Sequence, residues 1–227
     1  MSIIIDVPSH ILYEDPYVLV INKPCSLMVE PDRNGHPNLL QQVQKYIRKS
    51  THPGREAYVQ HVHRLDRPVS GIVLFAKKKS ILKDLSEQFA NRTVKKQYQA
   101  LTISAPLIFS GKLENWLFKD TKIKKAIIYN EVQPDSDSVS LSYTTTSFKE
   151  EFTLWNINLH TGKYHQIRAQ LGAAGCPILG DELYGSDFEY APNAIALHAY
   201  ALEFIHPSTK EAMRIEAKPV WGYKSIL

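Results

Sequence analysis

Between His61 and Lys79 the chain reads HVHRLDRPVSGIVLFAKKK, and this stretch constrains the fold more than any other. Ile72 to Ala76 is an apolar run of one strand's length, entered through Ser70-Gly71, and it reads as a buried strand. Just ahead of it, Asp66 lies between Arg64 and Arg67 in a loop-like segment. A carboxylate held among cations at the head of a rigid strand is a candidate for chemistry. Two other readings of the same residues stand beside that one. An aspartate near an arginine is most often a surface salt bridge. His61, His63 and Asp66 also suggest a metal site, but the carboxylate lies one residue beyond the HxHxD spacing of zinc hydrolases.

The bulk of the sequence sets the class. A chain of 227 residues, 44% hydrophobic and 22% charged, is long enough and apolar enough for a globular core without staples. Two cysteines, Cys25 and Cys176, make neither a disulfide framework nor a zinc site. The first residues lack the pattern of a signal peptide, and no apolar run reaches the length of a membrane span. A cytoplasmic protein without a membrane partner is the expectation. Residues 64–96 hold nine Lys or Arg against three Asp or Glu, a local charge of +6 in a chain whose total is +4. Basic charge gathered around the candidate carboxylate suits a phosphate backbone, although such runs are commonly just solvated.

Short strands are expected at Ile3 to Val7, Ile11 to Tyr13 and Tyr17 to Ile21. A helix follows from Leu39 to Arg48, with Asn38 as N-cap and Leu39, Leu40, Val43, Tyr46 and Ile47 on its apolar stripe. Lys49 to Glu56 reads as a loop and Ala57 to Val59 as a strand. A second helix, capped by Ser80, spans Ile81 to Phe89. Val94 to Ile103 reads as a strand with Tyr98, Ala100 and Thr102 on one face, residues 111–148 as a hairpin region, and Phe152 to Leu159 as a strand. A helix from Tyr164 to Ala174 is expected to bury Ile167, Leu171 and Ala174, with Arg168 one step off that stripe and Gly175 as its stop.

Several of these segments together resemble one family. His63-Arg64-Leu65-Asp66 followed by Val69-Ser70-Gly71 resembles the HRLDxxTSG signature of the RluA-type pseudouridine synthases, which isomerise uridine in RNA. In the family's order there follow Lys96-x-Tyr98, similar to its K-x-Y element, and Thr161-Gly162-Lys163-Tyr164-His165-Gln166-Ile167-Arg168, similar to TGRTHQLR. Pro177 to Gly185 resembles the PxxGDxxYG loop, and Leu197-His198-Ala199 with Phe204-Ile205-His206-Pro207 the closing strand. Val20 to Pro24 resembles the family's "NKP" strand end. The chain departs from the pattern at Cys25 and Glu30, where the family has Ser-Gly-Leu and a His before Pro, and at Val69 and Tyr164, each in place of Thr.

The resemblance implies an α+β fold: one catalytic domain over residues 1–227, with a mixed, mostly antiparallel sheet, flanking helices and a central cleft. A separate N-terminal RNA-binding domain is not expected, since about sixteen residues precede the strand leading to Asn22-Lys23-Pro24. It also implies that Asp66 is the catalytic carboxylate, Arg168 its counter-charge and Tyr98 the ring that packs on a flipped uracil. Arg64 would fill the space the base leaves, and Arg64, Arg67 and Lys96 would contact RNA. The reaction needs neither cofactor nor metal. The partner is RNA, ribosomal or transfer, and a monomer is expected. The alternative from another class is an RNA-binding protein that keeps the scaffold without the chemistry.

Overall fold

The computed structural model describes residues 3–51 and 57–221. In chain order its elements are β1 (Ile11–Glu14), β2 (Val18–Lys23), α1 (Leu39–Ser50), β3 (Gln60–His61), β4 (Ser70–Ala76), α2 (Lys79–Ala90), β5 (Lys95–Thr102), β6 (Ser110–Asp120), β7 (Lys125–Tyr129), β8 (Asp137–Phe148), β9 (Phe152–Leu159), α3 (Gln166–Ala173), β10 (Leu197–Ile205) and β11 (Ala212–Glu216). Single 3₁₀ turns lie at Val7–His10 and Glu182–Tyr184. The elements fall into two compact units, one made of Met1–Val94 with Ala199–Pro219, the other built on Lys95–His198.

In the first unit β4 is the centre. It pairs antiparallel with β2 along its length, from Val18 opposite Ala76 to Lys23 opposite Gly71, and β3 pairs with its far end. The alternate residues Val18, Val20, Ile72, Leu74 and Ala76 form one core with Ile81 and Leu85 of α2 and with Leu202 and Phe204 of β10. Leu19, Ile21, Val73 and Phe75, on the opposite face, are equally inaccessible. Burial on both faces is why these strands read as continuous apolar runs instead of alternating ones. Helix α1 starts where expected, the Asn38 side chain accepting from the amide of Gln41, and buries Leu39, Leu40, Val43 and Ile47.

The second unit is an antiparallel sheet in the order β5-β9-β8-β6-β7, with α3 packed on β6 and β7. Trp155 is its largest fully buried side chain, and its indole donates to the Thr102 hydroxyl at 2.8 Å. Antiparallel ladders with helices laid on them make an α+β fold, as expected. Among the described residues no helix is long and apolar enough to cross a membrane.

The structure corrects four local readings. Ile3 to Val7 is not a strand: Asp6 caps a 3₁₀ turn with Pro8 in its first positions, where a missing amide costs nothing. The pairing expected at Ala57 to Val59 occurs at Gln60–His61 instead. Helix α2 begins at Lys79 with Lys78 as N-cap, so Ser80 lies inside it and no side chain caps it. Helix α3 begins at Gln166, because His165 takes a left-handed φ of 52° that a helix cannot include, and Ala174, expected to be buried, is its exposed C-cap. Of the loop expected at Lys49 to Glu56, residues 52–56 lie outside the described residues.

Gly71 joins the signature loop to β4. Its φ is +114°, and a Cβ there would lie 2.4 Å from the carbonyl oxygen of Ala199. Neither the dihedral nor the space admits another residue. Gly71→Ala is expected to destabilise the protein by about 3 kcal/mol or more, read as a fall in the urea midpoint; an unchanged midpoint would show that the backbones are not held together here.

Candidate active site

Asp66 sits at mid-loop between two buried anchors, Leu65 and Val69, and its own carbonyl closes the turn by accepting from the Val69 amide at 3.1 Å. The half-buried carboxylate is thereby fixed at its backbone on both sides. Val69, in place of the family's Thr, is 3% exposed, so its methyl groups fill core where a hydroxyl would need a partner. His63 anchors the loop from the other end. Its Nε2 accepts from the Leu74 amide at 3.2 Å and its ring stacks on Phe89 at 5.0 Å. That employment is structural, and among the described residues His61, His63 and Asp66 do not form a metal-ligand group.

Beneath the loop lies a residue that the sequence reading passed over. Lys23, at the end of β2, is 0% exposed, and its ammonium donates to the carbonyls of Pro24 at 2.9 Å, Leu27 at 2.7 Å and Arg67 at 3.4 Å. It joins the strand end, the following turn and the signature loop. Burial lowers its pKa from 10.5 to about 7, against the opposing pull of Cys25 and of the Asp66 carboxylate. The Lys of Asn22-Lys23-Pro24 was legible as a family landmark, but a lysine in a strand is ordinarily solvated, and nothing local marks this one as buried.

Arg67 and Arg64 are exposed on either side of Asp66. The Arg67 Nε donates to the Ser26 carbonyl at 3.3 Å, adding a second tie to the 24–27 turn. Arg64 forms an ion pair with Glu30, which also lies 3.5 Å from His61 Nε2. Glu30 is one of the chain's departures from the family pattern, and it gives the arginine a carboxylate of its own.

In the second unit Tyr98 and Lys96 share one face of β5, opposite Ile157 and Leu159 of β9. Lys96 reaches over Gly162, its Nζ lying 3.1 Å from where a Cβ would stand. Arg168 of α3 is buried, where the sequence pattern set it one step off the buried stripe. Gln166 to Leu171 are all buried, so α3 has no wet face for it to occupy. Its guanidinium makes a fork with Asp181, Nε to Oδ2 at 2.7 Å and Nη2 to Oδ1 at 2.8 Å, with the two side chains only 7% and 1% exposed. This two-point geometry fixes the plane of the guanidinium.

Asp181 is held in turn by its loop, its carbonyl accepting from the amides of Tyr184 and Ser186. Tyr184 lies 5.1 Å from the guanidinium carbon; its hydroxyl accepts from the Ala126 amide and meets Nδ1 of His165 at 3.0 Å. Burial pushes the phenol pKa up to about 12, so the hydroxyl stays protonated. The sequence reading had this loop only as a landmark and missed Asp181. The demand for a carboxylate arises only from the burial of Arg168, which the helical pattern did not show.

Residues 17–173 match the family described as RNA pseudouridylate synthase. The chain belongs to that family. Pseudouridine synthases of this kind are isomerases acting on RNA, and the relatives place the chain in the RluA-type branch. It is 35% identical over 235 residues to ribosomal large subunit pseudouridine synthase C of Escherichia coli (strain K12), covering 96% of this chain and 68% of that protein. It is 31% identical over 209 residues to an uncharacterized RNA pseudouridine synthase of Bacillus subtilis (strain 168), covering 91% and 67%. Among solved structures, human RNA pseudouridylate synthase domain containing 4 superposes with a TM-score of 0.76 at 23% identity, over 93% of this chain and 89% of that one. That last likeness is one of fold.

Two expectations follow from the buried charges of this synthase. Asp181→Ala leaves the Arg168 guanidinium buried without its carboxylate and should destabilise the protein by about 3 to 5 kcal/mol, measured by urea unfolding; a loss under about 1 kcal/mol, the range of exposed pairs, would show the pair to be solvated. For Lys23, the unfolded chain holds one proton more than the folded chain between pH 7 and 10.5. Stability at this position therefore rises by about 1.4 kcal/mol per pH unit across that window and is flat below it. Urea unfolding of the wild type and Lys23→Met at pH 7, 8 and 9 should show the wild type gaining on the variant as pH rises; a constant difference would mean that Lys23 keeps its proton.

Proposed function

We propose that the chain converts uridine to pseudouridine in ribosomal RNA of the large subunit, with Asp66 as the catalytic carboxylate. The observation that carries this reading is the anchoring of the Asp66 loop, with buried neighbours on both sides and a buried lysine drawing in its backbone from below. A binding surface has no need of a carboxylate held so firmly. The ribosomal substrate is supported by the relatives named for the large ribosomal subunit.

The isomerisation breaks the N1–C1′ bond, turns the uracil and forms C5–C1′, while the proton on C5 is lost and N1 regains one. Atoms and electrons balance without a hydride carrier or metal. Asp66 serves as nucleophile at C1′ or as base at C2′, and either role requires it ionised. Arg168 supplies the positive counter-charge, and Asp181 keeps its guanidinium in one plane. A stacked base is beyond reach, so the uridine is flipped from its helix, with Arg64 taking the vacated place and Tyr98 packing on the uracil. Arg64 must exchange Glu30 for RNA to do so. Arg67 and Lys96 contact the RNA backbone. The enzyme works as a monomer in the cytoplasm, where the free thiols of Cys25 and Cys176 stay reduced.

Release of tritium from RNA carrying 5-tritiated uridine tests this reading. Wild type should release label from unmodified large-subunit ribosomal RNA and not from transfer RNA. Asp66→Asn should lower the rate by roughly a thousandfold or more while its RNA affinity stays within about twofold. Turnover by Asp66→Asn near the wild-type rate would remove Asp66 from the chemistry. Label released from transfer RNA instead would move the substrate, and RNA binding without any release would favour a scaffold that only binds.

A further inference from the structure

Several cations of this protein are ion-paired. Lys77, Lys163, Arg64 and Arg214 each lie against a carboxylate. Lys119, Lys122, Lys124 and Lys125, gathered where β6 turns into β7, have no ion pair among the described residues. The carboxylate nearest them in sequence, Asp120, is engaged by the turn, accepting from the amides of Lys122 at 2.8 Å and Ile123 at 3.1 Å. The turn thus presents four lysines against one carboxylate, Asp120, which stands opposite Lys125 in the strand register but makes no ion pair with it among the described residues.

Two of the four have aromatic seats. The Lys119 ammonium lies 4.8 Å from the centroid of the Tyr164 ring, and that of Lys125 lies 5.2 Å from the centroid of Tyr184. A ring face steadies an ammonium without cancelling its charge, as a carboxylate would. The seats are themselves fixed. Tyr164 stacks on His165 with centroids 3.7 Å apart and donates its hydroxyl to the Lys124 carbonyl at 3.1 Å, so it binds the turn to the start of α3. Tyr184 receives the Ala126 amide from the other side of the hairpin. Leu117, Ala126, Ala169 and Tyr184 pack beneath as one cluster with Tyr164 against it. Tyr164 stands where the family pattern has a Thr, so this seat is a property of the present chain.

Unpaired, restrained ammonium groups beside stacked aromatic rings suit one partner above others, a nucleic-acid strand with regularly spaced phosphates. We propose that the β6–β7 turn is a second RNA contact, in which Lys119, Lys122, Lys124 and Lys125 take phosphates of a strand flanking the target uridine and Tyr164 positions Lys119. The proposal rests on the synthase reading for the identity of its RNA. It adds a grip outside the signature loop, and it makes Tyr164 a determinant of how that RNA is held.

Filter binding of unmodified large-subunit ribosomal RNA across a salt series tests it, with the tritium assay run in parallel. The Lys119→Gln/Lys125→Gln double variant should raise Kd roughly tenfold at 0.1 M salt and flatten the slope of log K against log salt by roughly 0.7 to 0.9 for each phosphate contact removed. KM should rise by more than kcat falls. Tyr164→Thr should show part of the same loss with both lysines present. Lys45→Gln, which removes one charge from α1, serves as control and should leave Kd and slope unchanged. A double variant with wild-type Kd and slope, or one no different from Lys45→Gln, would overturn the proposal. Wild type that binds RNA without releasing tritium would overturn the synthase reading, and the salt slopes would still decide this one.

Discussion

Lys23 has no exposed surface, and its ammonium gathers three backbone carbonyls from three segments: its own strand end, the turn after it and the loop that carries Asp66. Much of the first unit is arranged to make this tolerable. β2 and β4 pair in a register that sets Lys23 opposite Gly71, and Gly71 in turn passes close to the backbone of Ala199, which no larger residue could do. A buried ammonium is costly unless its protons are met, so these carbonyls are held where they are by the same contact that they satisfy. The loop inherits that rigidity, and Asp66 is presented from it.

The second unit meets its own buried charge in a different manner. Arg168 lies on a helix with no wet face, and its fork with Asp181 supplies both charge and orientation. An arginine suits this position because two parallel bonds leave the guanidinium no freedom to rotate, whereas an ammonium would keep its freedom. The glycine-flanked loop around Asp181, the phenol of Tyr184 and the left-handed His165 are the scaffold of that fork. Each unit thus meets a buried charge with partners drawn from segments distant in sequence.

The departures from the family pattern acquire reasons in the structure. Val69 is buried, where a hydroxyl would need a hydrogen-bond partner. Glu30 engages Arg64 and approaches His61, so the exposed arginine has a carboxylate partner within its own chain. Tyr164 extends the start of α3 toward the β6–β7 turn through its stack, its hydroxyl and the ammonium over its ring. The first concerns packing alone, while the other two bear on how cationic side chains are held.

Most of the strands and helices were legible before any coordinates, because apolar periodicity and punctuation by Pro, Gly and Asn are local properties: Asn38 caps α1, and Phe152 to Leu159 is a strand over the residues expected. The family and its chemistry were legible too, since the signature residues lie in short contiguous runs. The errors fell where local signals compete, as at Ser80, bypassed when the backbone entered the helix at Lys79, and at His165, whose φ no propensity announces. What only the tertiary structure decided is burial of charge. Nothing near Lys23 in sequence marks it as inaccessible, and nothing near Arg168 points to Asp181, because desolvation and ion pairing are set by segments that meet only when the chain has folded. The sequence by itself determined the family and the segments that carry its signature; the fold decided which charged residues are buried and which groups meet them there.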